Sequence, residues 1–344
     1  LKVALDATYS TGRNLSGVGV YSREILHGLA AAHPETSYLW CYRPHRLTRC
    51  WREPRPPGVS VRPLFEHFQL FRPELFHGLN QRLPAARFRR AVCTFHDLFV
   101  FTSDYSSADF RERFIGQARQ AAERANLIIC VSTFTANQVH ELLGVERMRL
   151  RVIPHGTAIA QALDEAARQP VVLHVGALQR RKNLGRLIAA FERAAAPPWR
   201  LVLAGADGYD AAAIHARIAA SPARDRIETP GWVSSAELDA LYRRATLFVF
   251  PSLDEGFGIP VLEAMAYGLP VISSDRAALP EACGGAAWLV DPLEEQEIEE
   301  ALKRLIGQEA LRKQLRAAGF KHAASWSWSR AVESTWRVYQ ELGV

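Results

Sequence analysis

Long apolar runs are missing from this chain; none approaches the roughly 20 residues that a bilayer-spanning helix needs. No signal peptide precedes the first strand, so a cytoplasmic protein is expected. Cysteine is sparse as well. The five thiols, Cys41, Cys50, Cys93, Cys130 and Cys283, are odd in number, widely spaced and partly set inside apolar runs. That pattern suits neither a disulfide framework nor a zinc ligand set, and fits reduced packing residues. Helix-turn-helix, RNA-binding and finger signatures are absent, so nucleic acid is not an expected partner despite a net charge of +6. No Asp-x-Asp pair stands after a strand, and no convincing repeat or low-complexity tract interrupts the chain.

What the chain has in excess is arginine, and in one half. Residues 1–160 carry 21 Lys and Arg against 13 Asp and Glu, whereas residues 161–344 carry 21 against 23. Arg43, Arg46, Arg49, Arg52 and Arg55 form one cluster, and Arg82, Arg87, Arg89 and Arg90 another. Such charge reads either as a solvated basic surface or as attraction to an anionic acceptor or an anionic membrane face. The last is worth about 1 kcal/mol per basic residue near the surface. Peripheral attachment to an inner membrane face is therefore an open reading. Phe65, Phe68, Leu70, Phe71, Leu75 and Phe76 crowd the same region. They read mostly as core, with an acceptor loop or membrane-contacting edge as the other use.

At 344 residues and 48% hydrophobic, the chain can bury two ordinary cores. Strands are expected at 2–6, 38–42, 59–61, 90–95, 127–131 and 150–153, with helices at about 20–31, 107–124 and 133–143. The rhythm repeats with strands at 171–175, 200–204, 226–228, 247–250 and 270–273 and helices between them, after which residues beyond 293 are mostly helical. Strand–helix alternation predicts an α/β protein with open parallel sheets covered on both faces, and ligand sites at the carboxyl ends of the strands. The Ala/Gln-rich stretch from Thr157 to Gln169 reads as a hinge. The expected division is 1–165, 166–320, and a final segment 321–344 that crosses back to the first domain.

One stretch carries most of the chemistry: Glu255-Gly-Phe-Gly-Ile-Pro-Val-Leu-Glu263. It follows a strand and enters a helix. Pro260 suits the first helical turn and Gly268 the helix end. Phe257, Gly258 and Ile259 would then present backbone N–H groups at the positive end of that helix, an anion site worth roughly 0.3–1 kcal/mol, up to about 2 when partly buried. An anion site with a carboxylate on each side suits a ligand bearing both phosphates and hydroxyls. A nucleotide-sugar has both.

Taken in order along the chain, the motifs resemble glycosyltransferase family 4, retaining enzymes of the GT-B fold. The resemblance rests on Leu5-Asp-Ala7, Ser16-Gly-Val-Gly-Val-Tyr-Ser22, Phe95-His-Asp-Leu98, Cys130-Val-Ser-Thr133, Ile153-Pro-His-Gly156, Val175-Gly-Ala177 with Arg181-Lys-Asn183, Pro230-Gly-Trp-Val233 and Glu255 to Glu263. It implies two Rossmann-like domains whose parallel sheets face a central cleft, acceptor on the first and donor on the second. Glu263 is then the carboxylate on the ribose hydroxyls, and Glu255 sits near the donor sugar. Arg181 and Lys182 are implied to neutralise the donor diphosphate, with Arg180 confusing which two of three basic residues point inward. Gly17 and Gly19 resemble a glycine-rich loop that faces the diphosphate and acceptor. His96 is implied to approach the sugar, with Asp97 either its orienting partner or a second polar contact. Ser132 matches a serine near the cleft and is also a good helix N-cap. Gly231, Trp232 and Val233 are implied to meet the nucleotide base, although Trp232 reads equally well as core. Asp207 and Gly208 are weaker candidates for that region.

The run from Gly17 to Ser22 also approaches a dinucleotide fingerprint. Ten residues separate Asp6 from Gly17, and no acid ends the next strand, Tyr38 to Tyr42, so a nicotinamide enzyme is not expected. The resemblance implies hexose transfer from a nucleotide-sugar, with GDP-mannose the first choice of donor and a UDP-sugar the second. The acceptor is a hydroxyl of a glycan or lipid-linked saccharide. No cofactor and no metal are expected, because fixed cations and amides already meet the diphosphate charge. A non-hydrolysing nucleotide-sugar epimerase and a catalytically silent nucleotide-sugar-binding subunit share the architecture and stay open, since fold alone does not choose a reaction.

Overall fold

The computed structural model describes residues 1–12, 14–50, 53–158 and 168–344. They form two compact units. The first comprises Leu1–Thr102, Ala108–Gly156 and Ser327–Val344; the second comprises Ser103–Ser107 and Thr157–Trp326. Most of the expected hinge lies outside the described residues.

The first unit is built on seven parallel strands: β1 (Lys2–Asp6), β2 (Ser37–Tyr42), β3 (Val59–Pro63), β4 (Leu75–Gly78), β5 (Ala91–Phe95), β6 (Leu127–Cys130) and β7 (Leu150–Val152). Their order is β3-β2-β1-β4-β5-β6-β7, so the winding reverses between β1 and β4. Alternation along the strands makes two cores. Val3 and Leu5 pack with Tyr38, Trp40 and Tyr42 on one face, while Ala4, Leu39 and Cys41 join Phe76, Cys93 and Phe95 on the other. The helices of this part are α1 (Gly17–Ala32), α2 (Pro44–Cys50), α3 (Phe99–Thr102), α4 (Ala108–Arg124) and α5 (Thr133–Leu143).

Six parallel strands form the second unit: β8 (Val171–Val175), β9 (Arg200–Ala204), β10 (Ile227–Gly231), β11 (Leu247–Phe250), β12 (Val271–Ser274) and β13 (Trp288–Val290). The order is β10-β9-β8-β11-β12-β13, with its reversal between β8 and β11. Helices α6 (Leu184–Ala194), α7 (Ala211–Ala219), α8 (Ser235–Arg244), α9 (Ile259–Ala266), α10 (Leu279–Cys283), α11 (Glu295–Gly307) and α12 (Glu309–Ala323) belong to it. The last helix, α13 (Trp328–Glu341), returns to the first unit, where Val332, Trp336 and Tyr339 join the core around Ile25 and Leu29 of α1. A buried polar chain ties it to the sheet: His77 Nδ1 meets Tyr339 Oη at 2.6 Å, His77 Nε2 meets Thr94 Oγ1 at 2.8 Å, and Thr94 meets Tyr21 Oη at 2.9 Å.

Several short elements depart from the sequence reading, the helices α3 and α10 among them. β4 and β13 are strands where none was expected, and α2 forms inside the first arginine cluster. The aromatic segment divides: Leu75 and Phe76 are fully buried in β4, Phe71 packs against that core, and Phe68 and Leu70 are exposed. All five cysteines are buried and unpaired. Among the described residues no helix is long and apolar enough to cross a membrane.

Candidate active site

The second sheet reverses between β8 and β11, and the loops leaving those two strands carry the most charged buried cluster of the unit. Ligands favour such reversal points because the loops on either side diverge there. After β8, residues Arg180–Lys182 make a single 3-10 turn that ends on Asn183. Asn183 Nδ2 donates to the carbonyls of Pro251, 3.1 Å, and Pro292, 2.6 Å. Leu253 N donates to Arg181 O at 2.9 Å. The loop after β8 is thus laced to the loop after β11.

That lacing brings both cations onto one carboxylate. Arg181 Nη1 donates to Glu255 Oε2 at 3.0 Å and to Asp254 O at 2.6 Å, and Lys182 Nζ donates to Glu255 Oε1 at 2.5 Å. Lys182 also lies over the Phe250 ring, 4.5 Å from its centroid. Arg180 points elsewhere, to Asp104 at 3.1 Å, which resolves which two of the three basic residues turn inward. Burial alone would raise the Glu255 carboxyl, but Arg181 and Lys182 outweigh it and hold the group at about 2. Glu255 is therefore a permanent anion. It accepts hydrogen bonds and does not exchange protons near neutrality, and the triad keeps one net positive charge.

His174, on β8, went unnoticed in the sequence. It is buried, its Nδ1 lies 3.0 Å from Val249 O, and its ring stacks on Phe250. Burial, reinforced by the Lys182 charge, brings it down to about 4, so it backs the cluster as a neutral ring.

Helix α9 opens as the sequence predicts. Gly258 caps it with φ +116, a conformation that calls for glycine, and a Cβ there would lie 2.7 Å from Leu279 Cδ2 and displace that side chain. Pro260 occupies the first turn and brings no N–H, while Val261 N donates to Gly258 O at 3.0 Å, so Ile259 supplies the first N–H of the helix. The Phe257 side chain is core, packed edge-on against Trp326. Glu263, one turn along, keeps part of its side chain accessible, and its Oε2 accepts from Tyr242 Oη at 2.9 Å. Burial pushes its carboxyl up to about 7, against the opposing Tyr242 bond. Tyr242 is itself fixed by stacking on Tyr267, with centroids 5.0 Å apart. The two glutamates of the motif are thus electrically opposite: one locked as an anion, the other poised to titrate.

Gly231 ends β10 with φ +73, and Trp232 after it is 39% exposed, so it is not core; Val233 is half-buried. Asp207 is engaged by His215 at 2.8 Å on the surface.

In the first unit, Gly17 and Gly19 correct the expectation of a glycine-rich loop. Both lie in the first turn of α1, capped by Ser16. A Cβ on Gly19 would stand 2.9 Å from Tyr9 O, so close packing explains that glycine and no positive φ is involved. His96 follows β5 and is buried. Its Nε2 lies 3.0 Å from Leu79 O, its N–H donates to Gln81 Oε1 at 3.2 Å, and Gln81 Nε2 donates to Asp97 O at 3.1 Å. Gln81 is thus an orienting residue that the sequence did not reveal. His155 stacks on His96, with centroids 5.5 Å apart. Burial lowers His96 to about 4 and His155 well below its ordinary value, so both are neutral donors and acceptors near pH 7. Ser132 caps α5, its Oγ accepting from Thr135 N at 3.0 Å. Among the described residues no three His, Cys, Asp or Glu side chains converge in the way a metal ion requires.

Comparison with known proteins adds the reaction class. Residues 15–161 match the family described as Glycosyltransferase Family 4, and residues 157–322 match the one described as Glycosyl transferases group 1. The chain is a group 1 glycosyltransferase. It is 28% identical over 288 residues to O-antigen chain mannosyltransferase B of Escherichia coli, covering 78% of this chain and 74% of that one. It is 28% identical over 276 residues to the serotype-specific mannosyltransferase WbdA of the same species, covering 73% of this chain; there the match spans only 34% of the longer relative. Among solved structures, a sucrose-phosphate synthase from Thermosynechococcus elongatus superposes with a TM-score of 0.80 at 21% identity, over 99% of this chain and 98% of that one. At that identity the likeness speaks for the fold, two Rossmann-like domains of GT-B type.

Proposed function

We propose that this glycosyltransferase moves a hexose, mannose from GDP-mannose, to a hydroxyl of a glycan or lipid-linked saccharide, with retention at the anomeric carbon. The observation that carries the reading is the Arg181–Glu255–Lys182 triad at the sheet's reversal point, beside the opening turn of α9. The mannosyltransferase relatives favour mannose as the sugar.

A departing nucleoside diphosphate gains charge as its bond to the sugar breaks. Arg181, Lys182 and the helix amides are fixed donors for that charge and need no reorganisation at the moment of reaction. Because these cations and amides meet the diphosphate, the reaction is proposed to run without a metal. Glu255, held ionised, accepts from sugar hydroxyls, and Glu263 accepts from the ribose. The low-lying Glu255 is already paired twice, which makes it a poor nucleophile for a glycosyl-enzyme intermediate of the kind retaining hydrolases form. Front-face attack, with the leaving phosphate accepting the proton of the acceptor hydroxyl, is the mechanism that remains.

A thermal-shift screen of GDP-, UDP-, ADP- and dTDP-sugars tests the donor, and the expected result is selective stabilisation by GDP-mannose. Slow donor hydrolysis, followed by NMR, should release α-mannose first and should continue in excess chelator. Selective binding of a UDP-sugar would replace the donor, β-mannose or a trapped adduct would replace the mechanism, and loss in chelator would require a metal.

A further inference from the structure

Arg46 and Arg49 of the first arginine cluster, with Thr11, Gly12 and Asn14 after β1, line a cavity of about 910 Å³ that the donor chemistry does not use. Thr11, Arg23, Arg46, Thr48, Arg49 and Glu53 are among its lining residues. Arg23 is committed to the scaffold: its Nη2 donates to Ser10 O at 3.2 Å and Gly12 O at 3.1 Å and lies 3.8 Å from Glu53. Glu53 Oε1 in turn accepts the Gly12 N–H at 2.9 Å. The only carboxylate in the named lining is therefore spoken for. Arg46 and Arg49 stand three residues apart on α2 and so share a face. Neither pairs with a carboxylate among the described residues. A second, independent feature points the same way. Thr11 is 5% exposed, lines the cavity, and its Oγ1 has no hydrogen-bond partner among the described residues. A buried hydroxyl without a partner is costly and uncommon in a folded chain, which marks it as waiting for a ligand atom.

We infer that this cavity is a phosphate-reading pocket for the acceptor: Arg46 and Arg49 pair with a phosphate group, the Thr11 hydroxyl donates to one of its oxygens, and the remaining volume holds the saccharide that bears it. Guanidinium forks match phosphate oxygens geometrically. The cavity is far larger than a lone phosphate and lies within the roughly 300–1,000 Å³ range of small-molecule sites. Only the word acceptor rests on the proposed transfer reaction; the anion site stands on the cavity itself.

The test is calorimetric titration of the full chain, its donor site saturated with GDP, using mannose 1-phosphate, free mannose and inorganic phosphate as probes. Mannose 1-phosphate should bind at least about tenfold more tightly than either of the other two. R46A/R49A should weaken it by about tenfold or more, and T11V by a few-fold, with free mannose unaffected. Both arginines are on a surface helix, and an unchanged melting temperature for R46A/R49A shows that the fold survives; R46E/R49E should abolish binding outright. Unchanged binding in R46A/R49A, or loss of it in R181A/K182A alone, would overturn the assignment. So would inorganic phosphate binding as well as the sugar phosphate, or R46A/R49A disturbing only attachment to phosphatidylglycerol vesicles. Failure of wild type to bind any nucleotide would instead sink the transfer reading and leave this pocket standing.

Discussion

Replacing Glu255 by Gln removes the one anion that two buried cations share, and its cost can be worked from the structure in two ways. A carboxyl held at about 2, against an ordinary 4.5, contributes about 3 kcal/mol to folding at neutral pH. The sign follows from a lowered acid: the contribution is complete above about 4.5 and is lost as the pH falls toward 2. The same site seen from its partners gives a similar figure, since stripping one member from a buried ion pair costs about 3–5 kcal/mol. For a unit of this size, about 3 kcal/mol corresponds to a fall of roughly 10 °C in melting temperature. Differential scanning calorimetry of Glu255→Gln at pH 7.5 should show that fall, and the double variant Lys182→Met/Glu255→Gln should recover part of it by removing an orphaned charge. The variant also leaves Arg181 and Lys182 hungry for an anion. Inorganic pyrophosphate should therefore raise the melting temperature of Glu255→Gln more than that of the wild type. A variant that melts with the wild type, or that gains less from pyrophosphate, would refute the triad as the source of stability and of phosphate affinity.

Glu263, at about 7 in the free protein, must be ionised to accept two ribose hydroxyls, so GDP affinity measured by calorimetry should rise about tenfold from pH 6 to 8, most of it at the acid end. Glu263→Gln should bind more weakly with no such slope; a flat wild-type profile would contradict the ribose assignment. His77, His96 and His174 are held neutral at about 3, 4 and 4, so the unfolded chain takes up protons below 6.5 that the folded chain does not. Their stabilisation is present above about 6.5 and lost as pH falls, and even with Glu263 acting in the opposite direction urea denaturation should show a loss of at least about 3 kcal/mol between pH 7 and 5. Arg180 is half-exposed and, among the described residues, pairs only with exposed Asp104, so Arg180→Ala should change stability by less than about 0.5 kcal/mol and leave GDP affinity intact. A large effect there would mean the wrong basic residues have been turned inward.

Most elements were legible because periodicity is a local signal. The run Leu247 to Phe250 is apolar at every position, as a strand buried on both faces must be, and Ser132 and Gly144 bracket α5 with standard cap chemistry. β4 was not legible although it lies at the centre of the first sheet. Leu75-Phe-His-Gly78 is four residues long, follows Arg72-Pro73, and sits among aromatics and arginines that mask any period. Its strand state comes from β1 and β5 on either side, which pair with Phe76 and His77. β13, three residues at a sheet edge, fails for the same reason of length.

For the site the division is sharper. Motif order alone nominated Arg181, Lys182, Glu255 and Glu263 as candidates, and the opening of α9 was readable from Gly258 and Pro260, because a glycine with positive φ and a first-turn proline are local requirements. Which groups meet was another matter. Lys182 and Glu255 are 73 positions apart, Tyr242 reaches Glu263 from another helix, and Gln81 orients His96 from the neighbouring strand's loop. No spacing rule encodes such pairs; strand order does, by setting β8 against β11 and β4 against β5. The sequence by itself determined the α/β strand–helix order and which residues stand as candidates for the chemistry. Only the tertiary structure decided their charge states, locking Glu255 as an anion and leaving Glu263 near neutrality, because protonation depends on burial and on charges a few ångströms away.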